Sequence, residues 1–387
     1  MMKKPVIFLS TFEFSGDMHG AVLLAELKKL LPEAHFYGIG GGKMAEAGME
    51  VIFDPTKEST LGFTEALKNL GKIPRLLKEI YHQWEQRRPD VVIWLDSGGF
   101  NLKVAKEAKK LGIPVICMFS PSAWAYWENR AVKLSQRVKL LLAVLPFEAD
   151  FYRRFGANAK YIGHPLIDRV FATNPEAFRK QVGVNPGQKL VALMPGSRRQ
   201  ELANLLPVML EAASELTGEI DIKWVLPLAG SIDREYFDSI AAPYKIKLTI
   251  ITEGTYDLLA AADGAVIASG TATLEAAILN TPMIVVYRLS KLTLTIYRLL
   301  QTKEQRAKSV ASTPIALPNI IMGQEVVPEV KQENLTAANV ARELRHILSD
   351  SDYNTKIREE LLKVRQIIGP EGVMARAAKE IASLIGN

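Results

Sequence analysis

The sequence is short of several things that usually announce a function. It has one cysteine, Cys117, in an apolar run (IPVICMF), so no intrachain disulfide can form. That composition fits a reducing compartment. No stretch of about 18 or more apolar residues is present, which excludes a membrane-spanning helix. The apolar run after the basic start (MMKKPVIFLS) is too brief for a signal peptide. Histidines 19, 35, 82, 164 and 346 show no ligand spacing, so no metal site is readable. The run 38–43 (GIGGGK) follows a strand pattern but lacks the third glycine of a dinucleotide fingerprint, and Met44 stands where a P-loop needs Ser or Thr. Asp350-Ser-Asp352, the sole Asp-x-Asp pair, falls in a polar interhelical stretch and reads as a solvated cap.

What is present is ordinary globular composition, with 48% hydrophobic and 23% charged residues in 387. A chain of that length exceeds one core. The net charge of +6 favours anionic partners: a nucleotide, a nucleic acid or an anionic lipid surface. The basic residues are scattered without interleaved aromatics, so nucleic acid is not among the expected partners.

Apolar strand patterns at 5–10, 35–39, 91–95, 113–118, 140–144 and 160–162 alternate with helical ones. A second series runs through 189–195, 221–228, 247–252, 264–269 and 283–288. The alternation predicts two Rossmann-like, doubly wound parallel-sheet α/β domains, with ligands in a cleft between them. The expected boundaries are 1–165 for an N-terminal domain, 166–188 for a Pro/Gly-rich linker and 189–345 for a second domain. Helices at 346–387 are expected to cross back to the first domain or to a partner subunit.

Two loops of the second series read as an anion site. Ser269-Gly270-Thr271 leads from a strand into a helix whose first amides, at 270–272, suit a phosphate, with Glu275 one turn inside to accept from ribose hydroxyls. Pro195-Gly196-Ser197-Arg198-Arg199 does the same with two guanidinium forks. Arg199 is the better candidate for a solvated surface charge. In the first series, residues 10–21 (STFEFSGDMHGA) form a strand-to-helix turn with Glu13, Ser15, Gly16, Asp17 and His19 but few glycines. Phe63, Leu67, Leu70, Ile73 and Leu77, followed by Ile80 and Trp84, recur at spacings of three and four beside Lys68, Lys72, Arg75 and Lys78. Such a stripe faces either the core or an anionic bilayer, and 292–300 (LTLTIYRLL) is a second lipid-facing candidate.

Taken in order, SGDMHGA (15–21), YGIGGGKM (37–44), LGFTEAL (61–67), LDSGGFN (95–101), SPSAWAYW (120–127), LPFEADFY (145–152), IGHPLID (162–168), MPGSRRQE (194–201), SGTATLE (269–275) and LPNIIMGQEVVPE (317–329) resemble the lipid-A-disaccharide synthase family over almost the whole chain. The resemblance implies a GT-B glycosyltransferase that moves 2,3-diacylglucosamine from UDP to 2,3-diacylglucosamine 1-phosphate with inversion, forming a β-1,6 bond without a metal or other cofactor. It implies nucleotide contacts at Gly196, Ser197, Arg198, Ser269, Gly270, Thr271, Ala272, Glu275 and Asn319. Glu13, Ser15, Gly16 and Asp17 fall on the acceptor side. Asp96 is the expected general base or its orienter, His19 the alternative, and Arg198 the stabiliser of the departing charge. The acyl substrates imply a cytoplasmic protein, peripheral on the anionic cytoplasmic face of the inner membrane; a homodimer stays open. The sequence departs from the family at Phe12, Phe14 and Gly98, the first two adding bulk to the first turn. A UDP-N-acetylglucosamine 2-epimerase-like enzyme and a non-catalytic nucleotide-sugar-binding protein are the alternatives.

Overall fold

The computed structural model describes residues 4–55, 72–96, 99–121, 128–289 and 313–386. It divides into two compact units, one formed by residues 1–168 with 368–387 and the other by 169–367.

The first unit runs β1 (Val6–Ser10), α1 (Phe14–Leu30), β2 (His35–Ile39), α2 (Gly42–Glu46), β3 (Glu50–Phe53), α3 (Lys72–Gln86), β4 (Val91–Trp94), α4 (Gly99–Lys110), β5 (Val115–Met118), α5 (Glu128–Ser135), β6 (Leu140–Ala143), α6 (Pro146–Arg154) and β7 (Ala159–Tyr161). A 3-10 turn, Pro165–Asp168, closes the run. The strands pair in parallel in the order β3-β2-β1-β4-β5-β6-β7. β4, β5 and β6 read VVIW, VICM and LLLA and are buried on both faces, which is why they show no alternation. α1 begins at Phe14, so Ser15-Gly16-Asp17 is already helical, and the connecting turn is only Thr11–Glu13. Gly16 is required by close approach, since a Cβ there would lie 2.0 Å from Thr11 Oγ1 and 2.8 Å from the Leu95 carbonyl.

The second unit continues with α7 (Pro175–Gln181), β8 (Lys189–Met194), α8 (Arg199–Leu216), β9 (Ile222–Pro227), α9 (Arg234–Ala241), β10 (Leu248–Ile251), α10 (Thr255–Ala261), β11 (Gly264–Ala268), α11 (Thr271–Ile278), β12 (Met283–Tyr287), α12 (Leu317–Met322), β13 (Glu329–Lys331), α13 (Ala337–Ser349) and α14 (Ser351–Ile367). Its parallel sheet is ordered β10-β9-β8-β11-β12-β13. The stretch 166–188 therefore carries a helix, α7, that packs on α10, and α13 packs on α8 within this unit. Only α15 (Val373–Ile385) returns to the first unit, where it packs against α1. Asp168 fixes its start by accepting from Gly372 N–H at 2.6 Å and Val373 N–H at 2.9 Å. Arg376 Nε donates to the Ile162 carbonyl at 3.0 Å.

Candidate functional site

In each sheet the strand order reverses at one place, between β1 and β4 in the first and between β8 and β11 in the second. Ligands of open parallel sheets bind at such switch points, beyond the carboxyl ends of the strands. The loops singled out in the sequence flank these points: 11–13 and 95–96 in the first unit, 195–198 and 269–271 in the second.

Asp96 follows β4 and is 2% exposed. Its Oδ2 accepts from Phe12 N–H at 2.5 Å, and its Oδ1 accepts from Asn101 Nδ2 at 2.9 Å. Ser10 Oγ in turn donates to Asn101 Oδ1 at 2.7 Å. The carboxylate thus ties the first turn to β4 and α4 with a fixed orientation. Asn101 was not singled out from the sequence, although it stands five residues after Asp96 in LDSGGFN. Ser97 and Gly98 lie outside the described residues.

Asp17, placed on the acceptor side from the sequence, is turned inward. It is 2% exposed and accepts from Gly41 N–H at 2.7 Å, Lys43 N–H at 3.0 Å and Met44 N–H at 3.1 Å. The glycine run that fails as a dinucleotide fingerprint is therefore an anion cradle after all, filled by the protein's own carboxylate. Glu13 and Ser15 stay at the surface. Phe12 does not project bulk outward either: its ring packs 4.3 Å from Phe100 and 6.4 Å from Phe53, centroid to centroid. Phe14, by contrast, is 61% exposed.

His19 stacks on Phe119 at a centroid distance of 4.7 Å. His164, in the sequence one of five histidines without ligand spacing and part of IGHPLID, joins this edge of the sheet. Burial, helped by the charge of nearby His19, pushes its imidazole down to about 4. Its Nδ1 accepts from Leu166 N–H at 3.2 Å, which leaves the proton on Nε2.

In the second unit, Arg198 is 81% exposed in its side chain and pairs through Nη1 with Glu201 Oε1 at 2.7 Å. Glu201 Oε2 also accepts from Ser197 N–H at 3.2 Å and Arg198 N–H at 3.3 Å. Gly196 has φ +106, and a Cβ there would lie 2.4 Å from Glu201 Oε2. Arg199 is held at the surface by Asp233 and lies over the Tyr236 ring at 5.0 Å. Ser197 and Arg198 thus face the protein's own carboxylate, and of the two guanidinium groups Arg198 is the more exposed, at 81% against 62% for Arg199.

α11 opens at Gly270-Thr271-Ala272 with no side chain capping its first turn. Ser269 Oγ donates to the Ile315 carbonyl at 2.9 Å. Glu275, half-buried, accepts from Tyr256 OH at 3.4 Å. Burial raises its pKa, and Arg169 and Tyr256 oppose the rise. Asn319, expected on the nucleotide, is buried and fully used: Oδ1 accepts from Val326 and Val327 N–H at 2.8 and 3.0 Å, and Nδ2 donates to Val327 O and Glu329 Oε1, both at 2.9 Å. It braces the 313–329 segment rather than offering a free amide. Glu329 accepts there from Ile315 and Ala316 N–H at 3.0 and 2.8 Å and pairs with buried Lys331 at 2.6 Å.

Phe63, Leu67 and Leu70 lie outside the described residues, as does 292–300; Ile73 falls in α3, with its side chain undescribed. Leu77, half-buried, packs with Ile80 and Trp84 on the first core. Among the described residues, no cluster of His, Cys, Asp or Glu could hold a metal ion, and no helix is long and apolar enough to cross a membrane.

Two parallel sheets with paired switch-point loops define a two-domain fold of the GT-B glycosyltransferase type. Calicheamicin glycosyltransferase CalG4 shares it with a TM-score of 0.63 at 14% identity, covering 100% of this chain and 99% of that one. So does UDP-GlcNAc 2-epimerase from Neisseria meningitidis, solved bound to UDP-GlcNAc, with a TM-score of 0.59 at 13% identity and full coverage of both chains. At such identities the likeness is one of fold. Sequence separates the possibilities. The lipid-A-disaccharide synthetase family model matches residues 7–385, and the chain belongs to that family of glycosyltransferases. It is 38% identical over 387 residues to the lipid-A-disaccharide synthase of Syntrophus aciditrophicus, covering 99% of each chain. It is 36% identical over 384 residues to that of Syntrophotalea carbinolica, covering 98% of this chain and 95% of the relative.

Proposed function

We propose that the chain transfers 2,3-diacylglucosamine from its UDP carrier to the 6-hydroxyl of 2,3-diacylglucosamine 1-phosphate, with inversion at the anomeric carbon and release of UDP. The observation that carries this reading is the family match across both units, residues 7–385. In this reading the second unit holds the nucleotide. The open first turn of α11 and the Arg198 guanidinium receive the diphosphate, and Glu275 accepts from the ribose. The 6-hydroxyl oxygen attacks the anomeric carbon, the bond to the diphosphate oxygen breaks with its electron pair leaving on UDP, and a base takes the hydroxyl proton. Asp96 is that base or orients it, with Phe12 N–H and Asn101 fixing its carboxylate; His19 is the alternative. The leaving charge is met by Arg198 and backbone amides rather than by a metal. Acyl-bearing donor and acceptor bring the enzyme to the cytoplasmic face of the inner membrane as a peripheral protein.

The test is UDP release from UDP-diacylglucosamine with and without diacylglucosamine 1-phosphate in detergent. Release is expected only with both, and Arg198→Ala should lower it by about 10²–10³. Acceptor-independent turnover of UDP-N-acetylglucosamine would point to the epimerase reading instead.

A further inference from the structure

The 195–201 loop has every mark of a phosphate cradle, yet its donors already hold an anion. Glu201 is the third residue of α8 and folds back in a capping box, so that Oε2 takes the Ser197 and Arg198 amides at 3.2 and 3.3 Å while Oε1 takes Arg198 Nη1 at 2.7 Å. The glycine serves this carboxylate directly, because a Cβ on Gly196 would overlap Oε2. The back of the loop is held separately: Ser231 Oγ donates to the Ser197 carbonyl at 2.7 Å. Burial raises the pKa of the Tyr287 hydroxyl at the end of β12, Glu201 adds to the rise and Arg198 opposes it, so both charges act on the end of that strand. The first unit has a similar arrangement in Asp17, but that carboxylate is sealed inside, whereas Glu201 is 30% exposed in its side chain and can swing away.

We propose that Glu201 is a built-in competitor for the diphosphate of UDP: it occupies the Ser197 and Arg198 amides and the Arg198 fork in the empty enzyme, surrenders them when the nucleotide enters, and speeds UDP release by reclaiming them. This rests on the nucleotide-site reading above. Removing the negative charge while keeping an acceptor for the amides relieves the competition and frees Arg198, so binding tightens.

The experiment is calorimetric titration of UDP and of uridine into the full-length protein and two variants. Glu201→Gln, which preserves size and amide-accepting capacity, should bind UDP about fivefold or more tightly and uridine unchanged. It should also show stronger product inhibition by UDP in the transfer assay. Glu201→Asp, which keeps the charge, should not gain affinity. Unchanged or weaker UDP binding by Glu201→Gln overturns the proposal, as does an equal gain in Glu201→Asp. Failure of the unmodified protein to bind UDP at all would instead overturn the nucleotide-site reading itself.

Discussion

His164 sits where burial and a second imidazole act in the same direction. Its folded-state pKa of about 4 lies below the ordinary 6.5, so the folded protein resists a proton that the unfolded chain accepts. The stability this group supports is whole above about pH 6.5 and is lost as pH falls from there towards 4, at up to about 1.4 kcal/mol per pKa unit. Denaturant titrations from pH 7 to 4.5 should show that slope, and His164→Gln should flatten it. An identical slope in the variant would remove His164 as its source. In the first unit Asp96 and His164 follow the ends of different strands, while Asn101 sits in the first turn of α4. Sequence inspection found Asp96 but missed its partner Asn101, because an Asn near a helix start looks like any polar first-turn residue.

At the scale of elements, the first turn is built by two carboxylates with opposite duties. Asp96 fastens Phe12 from one side, and Asp17 fastens the α2 loop from the other. Asp17→Ala leaves three amides, two of them buried, without their acceptor and is expected to cost about 2–4 kcal/mol, measured by chemical denaturation. Asp17→Asn, which retains one acceptor oxygen, should lose less. None of this was legible in the sequence, because the donors lie 24 to 27 residues away and a buried cap looks like any acid in a turn. The central strands were legible, being wholly apolar. β3 (EVIF) and β13 (EVK) were not, since charged residues interrupt short edge strands. α7 was hidden in a Pro-rich stretch, although Asn174 caps it and Pro175 starts it in the usual way. Asn319 illustrates the converse. Its place in a family motif suggested a ligand contact, whereas its four hydrogen bonds all stay inside the protein.

For the whole molecule, the alternation of strand and helix was enough to give two doubly wound sheets, because parallel strands need crossover helices. The path of the last helices was not readable, since an amphipathic helix does not say which sheet it covers. Asp168 settles that locally by capping α15. Asp168→Ala should cost about 1 kcal/mol and raise hydrogen exchange in 373–385, while leaving UDP affinity as it was. Unchanged exchange there would mean that packing on α1 alone holds the helix.

The return of α15 also has a consequence in time. Residues 169–367 are continuous and can complete their sheet as they emerge from the ribosome, but the first unit waits for residues 368 onward before α1 is covered. The half of the protein made first is thus the half finished last. Throughout that interval the exposed flank of α1 is a natural client surface for chaperones.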